Sequence, residues 1–281
     1  MRRPAWTRPQ PYVGEVIPWD VRRLRLVLAG VAVVTIAVGC WGLYTLIATN
    51  PTSPPEPQRL FTPAVAASAT GAQRRDAIAA APMLAVPPLS LQDAAPGTSQ
   101  PDPVTVPAAT GIGAAQVPSG YPRTPAGALG QLGSLSAAVV QQMSMPYTQQ
   151  VHTAWSAPGA GDIDQWPLAV NVRSFLGKTR MGPAKSADAA IVAFPVAGQI
   201  KGNDGPDWQL ACVLLDIRAR NRSGDHRQVI YGVCERMRWQ GTRWVMDTGA
   251  RPAPPPATWP GTALSAQAGW RPWRMTTTHQ D

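Results

Sequence analysis

The chain has 281 residues, of which 44% are hydrophobic and 15% charged, and it carries a formal net charge of +9. Its 31 prolines, 25 glycines and mostly arginine basic residues are typical of a high-GC bacterial genome. No HxxxH or CxxC spacing accompanies its three histidines and three cysteines, which excludes the common metal-site patterns.

The first predicted element is a transmembrane helix over residues 26–48, a run without charged side chains. About 20 residues suffice for a helix to cross the hydrocarbon core of a bilayer. A cleaved secretory signal has a shorter apolar core, of about 7 to 15 residues. A lipoprotein signal is the other alternative, but it ends its apolar core at the cysteine, and here apolar residues continue beyond Cys40.

The basic tail, residues 1–25, determines the expected orientation. Six arginines precede the predicted helix, and no lysine or arginine follows it until Arg59. The positive-inside rule places such a tail in the cytoplasm. We therefore expect a single-pass protein of the plasma membrane, with the N-terminus cytoplasmic and the C-terminal domain extracytoplasmic.

Residues 49–120 are rich in Pro, Ala, Thr and Ser and predict a disordered, semi-extended linker. A segment of this composition cannot bury enough apolar surface to offset the entropy lost on ordering. A short helix over residues 73–80 is an alternative within the linker. The composition changes at Tyr121, where we expect an extracytoplasmic domain over residues 121–250 to begin.

A helix is predicted at the start of this domain, because Thr124 is a natural N-cap and Pro125 suits the first helical position. Its apolar stripe is expected to face the core. Three glycines on an adjoining line predict close packing against a neighbouring element, and contact with a partner chain is the alternative; they are Gly127, Gly130 and Gly133.

Further elements follow after a polar, Gly-rich loop. Residues 163–177 have helical apolar spacing and predict a second helix that Gly177 closes. Residues 187–200 read as an extended segment, in which Pro195 indicates an edge or a bulge.

Two long β-like runs flank the turn NRSGD, residues 221–225. If the turn centres on Ser223, one face of the hairpin is consistently apolar, with Val213 facing Val233. The same register places Cys212 opposite Cys234, at a separation that a disulfide can bridge. Since the predicted compartment is oxidising, we expect a disulfide, and two buried thiols are the alternative.

A third strand is predicted after a tight turn at residues 240–241, with Met237 facing Trp244. The fold class expected from these elements is α+β, with helices packed on a curved antiparallel sheet. The tail that follows, residues 251–281, is rich in Pro and Trp and predicts a C-terminal strap.

The order of these elements resembles a known family. An anchor helix, a Pro-rich linker, the helix start TPAGA and a last strand within RMRWQGTRWVMD are similar to actinobacterial single-pass envelope proteins with a nuclear-transport-factor-2-like domain. Several of those belong to conjugative elements and type IV secretion channels. The resemblance implies a non-enzymatic assembly or scaffold subunit. A similar layout occurs in proteins associated with mycobacterial lipid import, so a module that binds a lipid or another apolar ligand is the alternative.

Two sets of residues are candidate partner-binding groups. The arginines around the hairpin turn could attract an anionic surface; they are Arg218, Arg220, Arg222 and Arg227. The tryptophans of the strap either lie on the sheet or anchor a partner; they are Trp259, Trp270 and Trp273.

We expect no enzymatic activity, cofactor or metal. The histidines lie scattered in predicted loops and the tail, and Asp216 and Glu235 lack a nearby histidine or tyrosine in the sequence. The partners expected are the membrane and other envelope or channel proteins. Nucleic acid is not expected, because no aromatic residues alternate with the hairpin arginines, and no small-molecule substrate is indicated.

Overall fold

The computed structural model describes residues 71–220 and 224–276, all within one compact unit. The predicted cytoplasmic tail and the predicted transmembrane helix, residues 26–48, lie outside the described residues, as does Arg222. In the two described ranges, no helix combines the length and the apolar character needed to cross a bilayer.

Strands make up the centre of the domain. They are β1 (Val104–Val106), β2 (Gly111–Ile112), β3 (Pro118–Ser119), β4 (Ala190–Asn203), β5 (Trp208–Arg220), β6 (His226–Gln240), β7 (Arg243–Met246) and β8 (Arg271–Met275). Six of them form a curled half-barrel in the order β1-β8-β4-β5-β6-β7, and only the β1–β8 pair is parallel. The predicted α+β class is confirmed, with helices packed on a curled, mainly antiparallel sheet.

Five α-helices accompany the strands in the described part of the chain. They are α1 (Gly71–Ala80), α2 (Pro125–Gln142), α3 (Met145–Trp155), α4 (Pro167–Lys178) and α5 (Ala263–Gln267). Helix α2 begins as predicted, since the Thr124 side chain accepts a hydrogen bond from the Gly127 backbone N–H. Helix α3 replaces part of the loop that the sequence analysis expected. Ser144 caps it and Pro146 lies in its first turn.

Each face of the sheet packs against a different part of the chain. On the face that we call the helix face, Val213 and Leu215 of β5 are fully buried in the main core, to which α2, α3 and α4 also contribute side chains. On the opposite face, which we call the strap face, Leu214 lies beneath Trp270 of the C-terminal segment. Part of the segment 251–276 therefore lies on the sheet as a strap, as predicted. Its last part, β8, instead joins the sheet as a strand.

Residues 71–120 differ from the predicted disordered linker. Val106 and Val117 are fully buried in the main core, β1 pairs with β8, and Ile78 of α1 packs on Gly202. The domain therefore includes residues from at least Gly71 onward. The prediction rested on the average composition of the segment. It did not account for the few strongly apolar residues, which are buried by elements far along the chain.

The hairpin register agrees with the prediction, because Val213 pairs with Val233 and Cys212 with Cys234. The next register was wrong, since Met237 pairs with Met246 and not with Trp244.

The wrong register has a local cause. The turn residues are 241–242, and Gly241 has φ of +63°, a left-handed conformation that favours glycine. In β4, the predicted bulge occurs between Pro195 and Ala197.

Candidate functional site

Cys212 and Cys234 lie at disulfide-bonding distance on the strap face, as the predicted register requires. They are directly opposed residues of β5 and β6, and both side chains are buried. The pair covalently joins the two strands of the hairpin near the centre of the sheet.

The predicted arginine cluster is divided between the two faces of the sheet. Arg218 and Arg220 alternate with Cys212 along β5 and therefore lie on the strap face. Arg227 pairs with Ala219 and points to the helix face. A single anionic surface thus meets Arg218 and Arg220 together, but not Arg227.

Arg218 and Arg220 belong to an exposed patch near the hairpin turn, beyond the area that Trp270 covers. Val192 and Phe194 of β4 lie beside them, with 52% and 37% of their surfaces exposed. We call this patch the hairpin face; its members are Val192, Phe194, Arg218, Arg220 and Gln228.

Contacts with its neighbours hold Arg218 in place on the hairpin face. Its Nη2 and Nε atoms donate to Oδ2 of Asp216, at 2.8 and 3.1 Å, and its guanidinium lies 5.2 Å from the centre of the Phe194 ring. Asp216 also accepts a hydrogen bond of 3.0 Å from Gln228. The hydrogen bond between Arg218 and Asp216 keeps the pKa of Arg218 above its usual value. Arg220 has no ion-pair partner among the described residues. The face therefore combines a cation held by its neighbours, an aromatic ring and a second cation, Arg220.

The three strap tryptophans lie in different environments and form no common site. Trp270 is 1% exposed, and its Nε1 donates to the Pro256 carbonyl at 2.7 Å, so it is not accessible to a partner in the folded chain. Trp259 is partly exposed and packs against the apolar cluster on the strap face that contains Leu214 and Trp270; we call this the strap-face cluster. Trp273 lies at α2 and packs on the main core.

A groove of about 430 Å³ runs along the exposed side of α2; we call it the α2 groove. Its aromatic lining comes from Tyr121, Tyr147 and Trp273. The other lining residues are Gln116, Pro118, Gly130, Gly133, Ser134, Ala137, Ala138, Gln141, Gln142, Pro195 and Met275.

The glycine line of α2 brings aromatic rings close to the helix backbone. A Cβ atom added at Gly130 would lie 2.5 Å from the Tyr121 ring, and one at Gly133 would lie 3.1 Å from the Trp273 ring. The close packing predicted for this line is thus made within the chain. Two aromatic walls of the α2 groove depend on it.

The helix face carries a partly buried polar cluster around Glu235. Its Oε1 accepts a hydrogen bond of 2.8 Å from Nε1 of Trp166. Burial raises the pKa of Glu235 to about 7, although the Trp166 hydrogen bond and the charge of Arg251 act in the opposite direction. The carboxyl group can therefore exchange a proton near neutral pH.

Tyr231 and His152 lie near Glu235 or its partner Trp166 in the structure, although the sequence did not predict either association. Tyr231 accepts a hydrogen bond of 2.7 Å from Asn171, and burial raises its pKa to about 12. The His152 ring lies 5.4 Å from the Trp166 ring, and burial lowers its pKa. The spacing of Tyr231 and Glu235, four apart in a strand, already indicated a shared face. Nothing in the sequence indicated the approach of α3.

No family model, curated protein or solved structure matches this chain. Its function must be argued from its own residues.

Proposed function

We propose that this chain is a non-enzymatic, single-pass membrane protein that displays its α+β domain outside the plasma membrane. Its role in this proposal is that of an assembly or scaffold subunit of a conjugation or secretion apparatus. The observation that carries the proposal is the exposed and prearranged hairpin face, on a domain whose interior is filled with side chains.

The filled interior supports a surface role over the alternative of a lipid-binding module. An acyl chain held inside the domain would need a cavity of roughly 300 to 1,000 Å³ between α2 and the sheet. Between α2 and the sheet, Leu132, Leu135, Val213 and Leu215 are all at most 1% exposed and occupy this region. An acyl chain would have to displace these core side chains, at a cost of several kcal/mol in lost packing.

The hairpin face has the composition of a protein-binding surface. Arginines and aromatic residues are enriched at binding hot spots, where rigid side chains lose little entropy on association. Arg218 is already held by Asp216 and by the Phe194 ring, so its ordering cost is paid within the domain. Arg220, which has no ion-pair partner among the described residues, favours a partner with acidic side chains.

The placement outside the membrane rests on the sequence and on the cysteine pair. The uncharged run 26–48, with its arginine-rich N-terminal flank, supports the anchor and its orientation. Disulfides persist in oxidising compartments, so the pairing of Cys212 with Cys234 supports an extracytoplasmic location. The choice of apparatus follows from the order of the sequence elements, which resembles that of nuclear-transport-factor-2-like envelope proteins.

Chemical crosslinking of the full-length protein in its native membranes, followed by mass spectrometry, tests the proposal. Recovery of channel subunits or a translocation ATPase is the expected result. Recovery of lipid-transport components alone, or of no protein partner, would contradict it.

A further inference from the structure

We propose that the α2 groove binds a proline-rich peptide segment in the polyproline II conformation. The proposal goes beyond the scaffold role and holds whichever protein carries the segment. Such segments are recognised in grooves with aromatic walls, where rings pack against the pyrrolidine rings of the peptide.

The lining of the α2 groove is uncharged, as a proline-rich ligand is. None of its lining residues is ionisable at neutral pH, although the chain as a whole carries a net charge of +9. A charged ligand would lose hydration without gaining an ion pair there. A proline-rich segment has apolar rings and neutral carbonyl groups, which match the lining.

Two of the aromatic walls are held by hydrogen bonds before a ligand arrives. The Tyr121 hydroxyl is bonded to Oγ of Ser134 at 2.7 Å, and the Tyr147 hydroxyl donates to the Ala115 carbonyl at 2.8 Å. Tyr121 also packs against Gly130. Rings fixed in this way lose little conformational entropy on binding, which favours association.

The third wall offers a hydrogen-bond donor. Nε1 of Trp273 donates to the thioether sulfur of Met275 at 3.2 Å. A thioether is a weak acceptor, so a peptide carbonyl is a better partner for this N–H. The carbonyl groups of a polyproline II helix have no internal partners and are free to accept.

The length of the α2 groove also fits a short peptide. Its floor on α2 runs from Gly130 to Gln142, which corresponds to about 18 Å of helix. A polyproline II segment rises about 3.1 Å per residue, so about six residues fill this length. The small side chains of Ser134, Ala137 and Ala138 leave the floor low enough for a chain to lie on it.

The test measures binding of a fluorescein-labelled decaproline peptide to the full-length protein in detergent, by fluorescence anisotropy. A labelled Gly-Ser peptide of equal length is the control ligand. Ala137→Leu fills the α2 groove without removing an aromatic ring, and Trp273→Phe keeps a ring while removing the N–H. Trp259→Phe, at a partly exposed tryptophan of the strap-face cluster, is the matched control variant.

We expect saturable binding of decaproline but not of the control peptide, with affinity reduced about tenfold by Ala137→Leu and about fivefold by Trp273→Phe. Trp259→Phe should bind like the wild type. Circular dichroism of each variant checks that it is folded. Absence of decaproline binding at about 1 mM peptide would overturn the proposal, as would unchanged affinity in Ala137→Leu. If an uncharged oligosaccharide displaces the bound peptide and binds more tightly than decaproline does, the groove would be assigned to a glycan instead.

Discussion

Arg236 of β6 forms an ion pair with Asp76 of α1, 160 positions earlier in the sequence, with Nη1 2.5 Å from Oδ1. The Arg236 side chain is 5% exposed, and its guanidinium also lies 5.4 Å from the Trp208 ring centre. The Asp76 pKa is lowered, chiefly by the hydrogen bond from Arg236. A segment with the composition of a linker is thus attached to the sheet through a buried cation.

Replacing Asp76 by Asn is expected to destabilise the domain by about 1 to 2 kcal/mol. Removing one partner of a buried pair leaves the other charge unpaired, and the cost is reduced here because Asp76 is half exposed. Urea denaturation measures the change. The control is Asp93→Asn, at an exposed carboxylate of the same segment, which should leave the stability unchanged. Equal midpoints for both variants would show that the pair is not stabilising.

Reducing the Cys212–Cys234 pair is expected to lower the free energy of unfolding by about 2 to 3 kcal/mol, because the crosslink closes a 22-residue separation in the unfolded chain. Denaturation with and without reductant measures this loss. The double variant Cys212→Ala, Cys234→Ala should not respond to reductant. In the unreduced wild type, a thiol assay under denaturing conditions should detect Cys40 alone, and three reactive thiols would contradict the disulfide.

Glu235 should make stability fall as the pH rises. Its pKa is about 7 in the folded chain and 4.5 in the reference state, so between these values the unfolded state releases its proton first and is favoured. Glu235→Gln keeps an oxygen acceptor for Trp166 and removes the charge. The free energy of unfolding of this variant minus that of the wild type should therefore rise by about 2 kcal/mol as the pH goes from 5 to 8.

The measurement for Glu235 is urea denaturation of both proteins at several pH values. His152 has a lowered pKa and gives stability the opposite pH dependence, but it is present in both proteins, and its contribution cancels in the difference. A difference between the two proteins that is constant with pH would mean that Glu235 is already ionised at pH 5.

Charge reversal at the hairpin should depend on the face of the sheet. Arg220→Glu changes the hairpin face, whereas Arg227→Glu makes the same change on the helix face, close by in the hairpin. We expect recovery of crosslinked partner proteins to fall about tenfold for Arg220→Glu and to stay at the wild-type level for Arg227→Glu. Equal losses in both variants would indicate a general electrostatic attraction and not a defined docking face.

The β5–β6 register and the start of α2 could be predicted because local rules determine them. Strand alternation allows few registers that keep one face apolar, and the positions of Cys212 and Cys234 agreed with that choice. Thr124 and Pro125 fix a helix start from adjacent residues alone.

The remaining features depend on contacts between distant residues. Val106 is buried because β8, some 170 residues later, pairs with its strand. The approach of His152 to Trp166 depends on how α3 packs, and α3 itself was not expected. The separation of Arg227 from Arg220 follows from strand alternation and could have been derived from the predicted register.

We propose that the hairpin face meets a protein of an envelope apparatus. The most direct measurement places a photo-reactive residue at position 220 of the full-length protein in its native membranes and identifies the crosslinked products by mass spectrometry. We expect crosslinks to channel subunits, and far fewer when the same photo-reactive residue replaces Gln150, which is exposed on α3. Crosslinks only to lipid or lipid-transport components would contradict it.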